Sequence, residues 1–319
     1  MMHALEVTDL SKTFALRSGL FGGPRDGVRA VRPMSFSVSR GETLGIVGES
    51  GCGKSTLARM LVGLLEPTTG SIEIDGSALD TADPAAFGRL IQYVFQDPIS
   101  SLNPRKSIRQ IIETPLKRLY GMGAAERQAR IAEILASVNL REAFLERYPH
   151  EFSGGQAQRI GIARALAAAP KIMILDEPVS ALDVSVQAQV LNLLAELRAR
   201  LDLTYLFISH DLAVVEAVSD RVMVLYFGSV VEIGRAERIF AAPKHPYTRL
   251  LAESAPVVGR PLRAPEQTGT ELPDPLNPPP GCAFAGRCPR ATALCRETEP
   301  PLETMGEDQL AACHHPIAD

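Results

Sequence analysis

The sequence predicts an α/β domain with a largely parallel core sheet, followed by a short Pro- and Cys-rich stretch. Three observations carry this. Short β-like runs alternate with helical patterns up to about residue 255, the order that builds parallel sheets flanked by helices. A glycine-rich loop at residues 48–56 sits between one such strand and a helical stretch. Beyond residue 255 the composition shifts: eight prolines fall between Pro256 and Pro280, and four of the five cysteines lie between Cys282 and Cys313. Proline fixes φ and removes an amide donor, so the stretch reads as a surface linker into a small Cys-bearing module.

The individual elements follow from apolar spacing. Met34, Phe36 and Val38 alternate with polar residues, and after the Arg40-Gly41 turn Leu44–Val47 makes a second strand. Ser71–Asp75 alternates in the same way, and Ile91–Phe95 is a further strand. Lys171–Leu175 is a continuous apolar run ending in Asp176-Glu177, as a buried parallel strand would. Tyr205–Ile208 and Val222–Tyr226 repeat that character. Val186, Val190, Leu193, Leu194, Leu197 and Leu201 recur at helical spacing and form one apolar face.

Composition narrows the function. The 319 residues allow roughly two domains. At 45% hydrophobic and 22% charged, the chain buries a core and is not disordered throughout. Lys+Arg 33 against Asp+Glu 37 gives a net charge of −4, which offers no basic footprint for nucleic acid. Tryptophan is absent, so no base-stacking platform is expected. No stretch reaches the ~18 uninterrupted apolar residues of a membrane helix. Met1–Phe14 carries Glu6, Asp9 and Lys12 and has no signal-peptide core. The expected place is the cytosol, with any membrane role peripheral.

The strongest local signal is Gly48-Glu49-Ser50-Gly51-Cys52-Gly53-Lys54-Ser55-Thr56, which fits G-x-x-x-x-G-K-[ST] between strand and helix. Its glycines let backbone N–H groups converge on phosphate oxygens, and the helix N-terminus adds positive potential. Lys54 would reach the β- and γ-phosphates and Ser55 would ligate Mg²⁺. Cys52 is a small filler with no assigned chemistry. Asp176 and Glu177 supply the acidic partners: Asp176 to hold Mg²⁺, Glu177 to polarise the attacking water as general base.

Phe152-Ser153-Gly154-Gly155-Gln156 leads into a helical stretch from Gln158 to Ala168, and here the chain resembles the ATP-binding subunits of ABC transporters. The resemblance implies a phosphate-loop ATPase with a RecA-like parallel core, an antiparallel β subdomain and a helical subdomain over about 98–165. It implies roles for further residues. Ser153, Gly154, Gly155 and Gln156 form the signature that covers a partner's γ-phosphate. Gln96 of Phe-Gln-Asp-Pro ligates Mg²⁺ and touches the membrane subunits. Asp183 of Ser180-Ala-Leu-Asp183 lies in the D-loop, His210 is the switch histidine, and Phe14 stacks on adenine. Tyr148–Gln156, Asp176–Val184 and Gly281–Pro289 resemble the oligopeptide/dipeptide import branch, in particular its second, F-type ATPase. Ala157 departs from that pattern, where a basic residue is common.

Such a protein works in pairs, because the signature is an anion site with no phosphate of its own. The resemblance therefore implies a second ATP-binding subunit, two transmembrane permease subunits and, indirectly, a substrate-binding protein, with this chain on the cytoplasmic face of the membrane. The domain reading is 1–255 for the ATP-binding domain and 256–319 for the linker and C-terminal module. Nickel, glutathione or sugar cargo remains an alternative to peptides. A soluble ABC ATPase is disfavoured, since only 98 residues separate Lys54 from Ser153, too few for a long coiled coil.

Cys282-x5-Cys288-x6-Cys295-x17-Cys313 is followed by His314 and His315. The spacing matches neither the C-x2-C zinc pattern nor a ferredoxin run, so it leaves zinc and iron–sulfur open. The resemblance implies a [4Fe–4S] cluster on the four cysteines, with Zn²⁺ as the alternative.

Overall fold

The computed structural model describes residues 3–15, 27–78, 83–254, 272–306 and 308–318. Two strands open the chain, β1 (His3–Phe14) and β2 (Val28–Ser39), followed by β3 (Thr43–Val47), α1 (Lys54–Leu61), β4 (Thr69–Ile74) and β5 (Ser77–Ala78). Then come α2 (Pro84–Leu90), β6 (Ile91–Val94), α3 (Ile108–Tyr120), α4 (Ala124–Ser137) and α5 (Gly154–Leu166). The second half holds β7 (Ile172–Asp176), α6 (Val184–Leu201), β8 (Thr204–Ile208), α7 (Leu212–Val218), β9 (Arg221–Tyr226) and β10 (Ser229–Arg235). The chain ends with α8 (Ala236–Ala241), α9 (Pro246–Ser254), α10 (Ala293–Glu297), β11 (Glu303–Thr304) and β12 (Gln309–Ala311).

Among the described residues these strands form two sheets. A small antiparallel one runs β2-β1-β4-β5, and the large one runs β11-β12-β10-β9-β3-β8-β7-β6. Its five strands from β9 to β6 are parallel, as the apolar runs predicted. Alternate residues of these strands enter different cores, because strand side chains alternate faces. Met173, Leu175, Tyr205 and Phe207 join one core with α3, α4, α5 and α6. Ile172, Ile174, Leu206 and Ile208 join the other, with α1 and the antiparallel sheet. The apolar face expected on α6 buries Val190, Leu193, Leu194 and Leu197, while Leu201 at its end is exposed.

The helical region is a three-helix pack. Ile108, Ile111, Ile112 and Leu116 of α3 meet Ile131, Ile134 and Leu135 of α4 and Ile160 of α5 in one core. Ser107 caps α3: its hydroxyl accepts from Gln110 N at 3.4 Å, while Gln110 Oε1 accepts from Ser107 N at 3.1 Å.

The C-terminal stretch packs against the rest of the chain. Part of the Pro-rich linker, residues 255–271, lies outside the described residues. The described residues beyond it are built onto the α/β core: β12 extends the main sheet by pairing antiparallel with β10, Ile233 opposite Leu310. Glu232, fully buried, accepts hydrogen bonds from Lys244 N (2.7 Å), His245 N (2.9 Å) and Gln309 Nε2 (2.7 Å). One carboxylate thus ties β10, the approach to α9 and β12 together, although burial pushes its pKa up. Phe284, 2% exposed, packs edge-on to Tyr226 with centroids 5.4 Å apart and at the same distance from Tyr247. A segment of so few apolar residues has too little core of its own, so it borrows one. Phe284→Ala should therefore cost about 3–5 kcal/mol and lower the single thermal unfolding midpoint of the whole chain. An unchanged midpoint for the α/β core would show the tail to be independent.

Candidate nucleotide-binding and hydrolysis site

Parallel strands deliver their C-terminal ends to one edge, and the site is assembled there. From β3 the chain turns into residues 48–53 and then α1. Gly53 has φ 104°, left-handed backbone that L side chains rarely adopt, and a Cβ there would stand 2.5 Å from Ala30 O. Glycine is therefore required on steric grounds. Lys54 is buried, with Nζ donating to Gly48 O at 2.6 Å and Glu49 O at 3.0 Å. It is held inside the curl of the loop. Ser55, Ser50 and Gly51 are exposed, and Thr56 is half-buried. Cys52 is 1% exposed, and burial raises its pKa, in keeping with a filler role.

Two predicted residues meet on the carboxylate of a third. Gln96 Nε2 donates to Glu177 Oε2 at 2.8 Å, and His210 Nδ1 stands 3.0 Å from Glu177 Oε1. Glu177 itself has φ 47°, uncommon for a residue with a Cβ. Its N–H donates to Ile208 O at 2.8 Å, fixing it against the end of β8. Asp211 caps α7 by accepting from Ala213 N (3.0 Å) and Val214 N (3.2 Å), which sets the position of the adjoining His210. Asp176 ends β7 and is buried.

The signature residues are placed elsewhere. Ser153 and Gly154 are exposed at the start of α5, and Gln156 Oε1 accepts from Ser153 N at 3.2 Å. A Cβ on Gly155 would stand 2.5 Å from Val186 Cγ1, so the helix start packs tightly on α6. Among the described residues no hydrogen bond or ion pair joins 153–156 to 48–56. Asp183 is exposed at the N-cap of α6, its carbonyl accepting from Val186 N at 2.9 Å. Phe14, at the end of β1, is 42% exposed, with Lys12 Nζ 5.5 Å from its ring centroid. Part of the insertion after Phe14, residues 16–26, lies outside the described residues.

Sequence reasoning missed four supporting side chains. The Tyr93 hydroxyl donates to Asp176 Oδ2, and burial is the main cause that pushes its pKa up. Arg164 of α5 donates to Ser101 O at 3.0 Å and Tyr93 O at 3.3 Å and lies over the Phe95 ring, bracketing Gln96. Arg287 pairs with the Glu49 carboxylate, and the Tyr247 hydroxyl accepts from Glu49 N at 2.9 Å. A tyrosine on the buried side of a short strand, next to Gln92, was the available signal for Tyr93. Arg164 and Arg287 gave none.

The donor set fits a magnesium nucleotide. Backbone N–H groups and a lysine surround the loop, and the hydroxyl of Ser55 and carboxylate of Asp176 are the hard oxygen ligands Mg²⁺ prefers. Together with a strand-end acid pair, this defines a phosphate-loop ATP-binding protein. The family follows from comparison with known proteins. The ABC transporter family matches residues 31–180, and the oligopeptide/dipeptide transporter C-terminal region matches residues 231–295. The chain is 49% identical to the oligopeptide transport ATP-binding protein AppF of Bacillus subtilis, over 97% of this chain and 96% of that one. It is 48% identical to the dipeptide transport ATP-binding protein DppF of Haemophilus influenzae, over 98% and 96%. Among solved structures, cbiO1 from Clostridium perfringens, part of the ABC transporter complex cbiONQ, aligns with a TM-score of 0.66. It shares 29% identity over 76% of this chain and 92% of that one. A dimeric ATP-binding cassette in a post-hydrolysis state with ADP and Pi aligns at a TM-score of 0.64 and 30% identity, over 73% and 98%. The chain belongs to the ATP-binding subunits of ABC transporters, in the oligopeptide/dipeptide branch.

The cysteine expectation is not borne out in the same way. Cys282, Cys288, Cys295 and Cys313 do line one small cavity, with His245, His314 and His315. Yet among the described residues no three His, Cys, Asp or Glu side chains are grouped to hold a metal ion. The cavity shows a shared site of soft donors and not a preformed ligand cage. His314 Nε2 is 2.9 Å from Thr298 O and His315 Nε2 is 2.9 Å from Thr292 Oγ1, so both are engaged in local hydrogen bonds.

Exposure of Ser153 away from its own loop yields a test. Ser153→Arg should change Mg-ATP binding by the isolated chain no more than about twofold, as exposed substitutions do. ATP-dependent dimer formation and turnover should be lost. Loss of binding by a folded monomer would place the signature in its own chain's site.

Proposed function

We propose that this chain hydrolyses ATP to power import of di- or oligopeptides, as one of two ATPase subunits seated on a pair of membrane permeases. The observation that carries the hydrolytic reading is the convergence of Gln96 and His210 on the Glu177 carboxylate, 2.8 and 3.0 Å away, at the edge where the phosphate loop leaves β3. Peptide cargo is supported by near full-length identity to proteins named for oligopeptide and dipeptide transport. Cargo would be chosen by a separate substrate-binding protein. Among the described residues no helix is long and apolar enough to cross a membrane, which fits a subunit docked from the cytoplasmic side.

In this reading Lys54 and amides of the loop after Glu49 hold the β- and γ-phosphates, and the exposed Phe14 ring stacks on adenine. Ser55, Asp176 and Gln96 would hold Mg²⁺, which when bound neutralises charge on the phosphate oxygens. Tyr93 keeps Asp176 oriented through its hydroxyl. Glu177 takes a proton from the attacking water. A carboxylate offers about four acceptor sites, so Gln96 and His210 orient it without saturating it. Ser153, Gly154, Gly155 and Gln156 of one subunit and Asp183 beside them close over the partner's nucleotide. ATP thereby joins the two subunits, and its hydrolysis releases them. The dimeric cassette bound to ADP and Pi is similar in fold to this chain, which supports the pairing.

For the thiol cavity, the reading is a [4Fe–4S] cluster on Cys282, Cys288, Cys295 and Cys313 in preference to zinc. Four soft donors on one cavity support a thiolate-held group. Burial pushes Cys282 up to about 11 and raises Cys288 and Cys313, so binding would expel protons from neutral thiols.

Two measurements test these readings. Glu177→Gln in the assembled transporter should keep ATP binding, slow turnover by ~10²–10⁴, and accumulate the nucleotide-bound dimer on a sizing column. Turnover at the parental rate would remove Glu177 from the role of base. Anaerobically purified protein should be brown, with ~4 iron per chain, and Cys288→Ser should bleach it. A colourless protein with about one zinc would overturn the cluster reading.

A further inference from the structure

The C-terminal segment reaches the phosphate loop through one side chain. Arg287 precedes Cys288 in the chain and is 238 positions from Glu49, yet its Nη1 and Nη2 donate to Glu49 Oε2 (2.8 Å) and Oε1 (2.9 Å). The pair is bidentate, the geometry in which arginine binds carboxylate most specifically. It is also largely shielded, with side chains 16% and 28% exposed. The guanidinium lies over the rings of Phe284 and Tyr226, 5.6 and 5.9 Å from their centroids. The backbone N–H of Glu49 is held in turn by the Tyr247 hydroxyl.

This arrangement answers an electrostatic problem in the loop. Glu49 follows Gly48 directly, so a carboxylate stands in the segment that gathers a polyanion. Unpaired in a partly shielded site, it would repel phosphate. Lys54 Nζ donates to Gly48 O and Glu49 O and not to the Glu49 carboxylate, whereas Arg287 is the cation paired to that carboxylate. We propose that Arg287 is a positioning residue of the nucleotide site, which cancels the charge of Glu49 and holds the first turn of the phosphate loop open for ATP. The C-terminal segment is then part of the nucleotide-binding machinery. This rests on the reading of residues 48–56 as the nucleotide cradle.

A residue that only fastens the tail would give a different pattern of signs, and full-length protein titrated with Mg-ATP by calorimetry separates the two. Arg287→Met keeps a stem to lie on Phe284 and Tyr226 but leaves Glu49 unpaired, so Kd should rise about tenfold at low salt. That gap should shrink as salt is added. Glu49→Gln leaves Arg287 facing the phosphates, so Kd should fall below the parental value. The double variant Glu49→Gln/Arg287→Met should return close to parental affinity, and Arg287→Lys should keep most of it. In the assembled transporter the KM for ATP should follow these shifts while kcat stays near parental. Weaker binding by Glu49→Gln, or a double variant as weak as Arg287→Met alone, would make the pair a strut and overturn the proposal. If Arg287→Met does not fold, the sign of the Glu49→Gln effect decides alone. Mg-ATP binding by Lys54→Ala at parental affinity would instead overturn the reading of the loop itself.

Discussion

The site depends on β3, five buried residues held in parallel register on both sides. Ile46 lies opposite Ile208 of β8 and Met223 of β9, so the strand cannot slip without turning its side chains to the wrong core. Because β6, β7 and β8 run parallel to it, the chain leaves all four strands at one edge. From those exits come the phosphate loop, Gln96, the Asp176-Glu177 pair and His210. None of these residues is close to another group in sequence. Their meeting is a consequence of strand direction.

What was legible in the sequence was whatever a local requirement forces. Residues 48–56 need glycines at positive φ and a lysine at the start of a helix, so the loop announces itself. The apolar run into Asp176-Glu177 does the same, since a strand buried on both faces has little choice of side chains. The three-residue strand β12 was not legible, being too short to show any period. Its partner β10 lies some way back along the chain, beyond the proline-rich stretch. Composition drew a boundary at residue 255 because proline and cysteine rise there, while the packing of Phe284 and the pairing of Leu310 with Ile233 cross it. Tyr93 and Arg287 act on site residues 83 and 238 positions away, a relation no window along the chain can register.

The cavity of cysteines shows a middle case. Four thiols in a short segment were visible as a cluster, and the chain does bring them to one place. The spacing could not specify the geometry, because the segment between Cys295 and Cys313 passes through α10, β11 and β12 before returning. Distance in space is set there by the pairing of β12 with β10, a part of the ATPase core.

The central sheet is also a partition. The helix that opens from the phosphate loop shares its core with the antiparallel sheet, through Leu57, Met60 and Leu61. The helices expected to face the membrane, together with the signature helix, share the other core, through Ile112, Ile134 and Ile160. Among the described residues no buried side chain belongs to both. Over evolutionary time the two sides are therefore free to drift at different rates. A change in the packing of α3 and α4 need not disturb the packing of α1 under the phosphate loop.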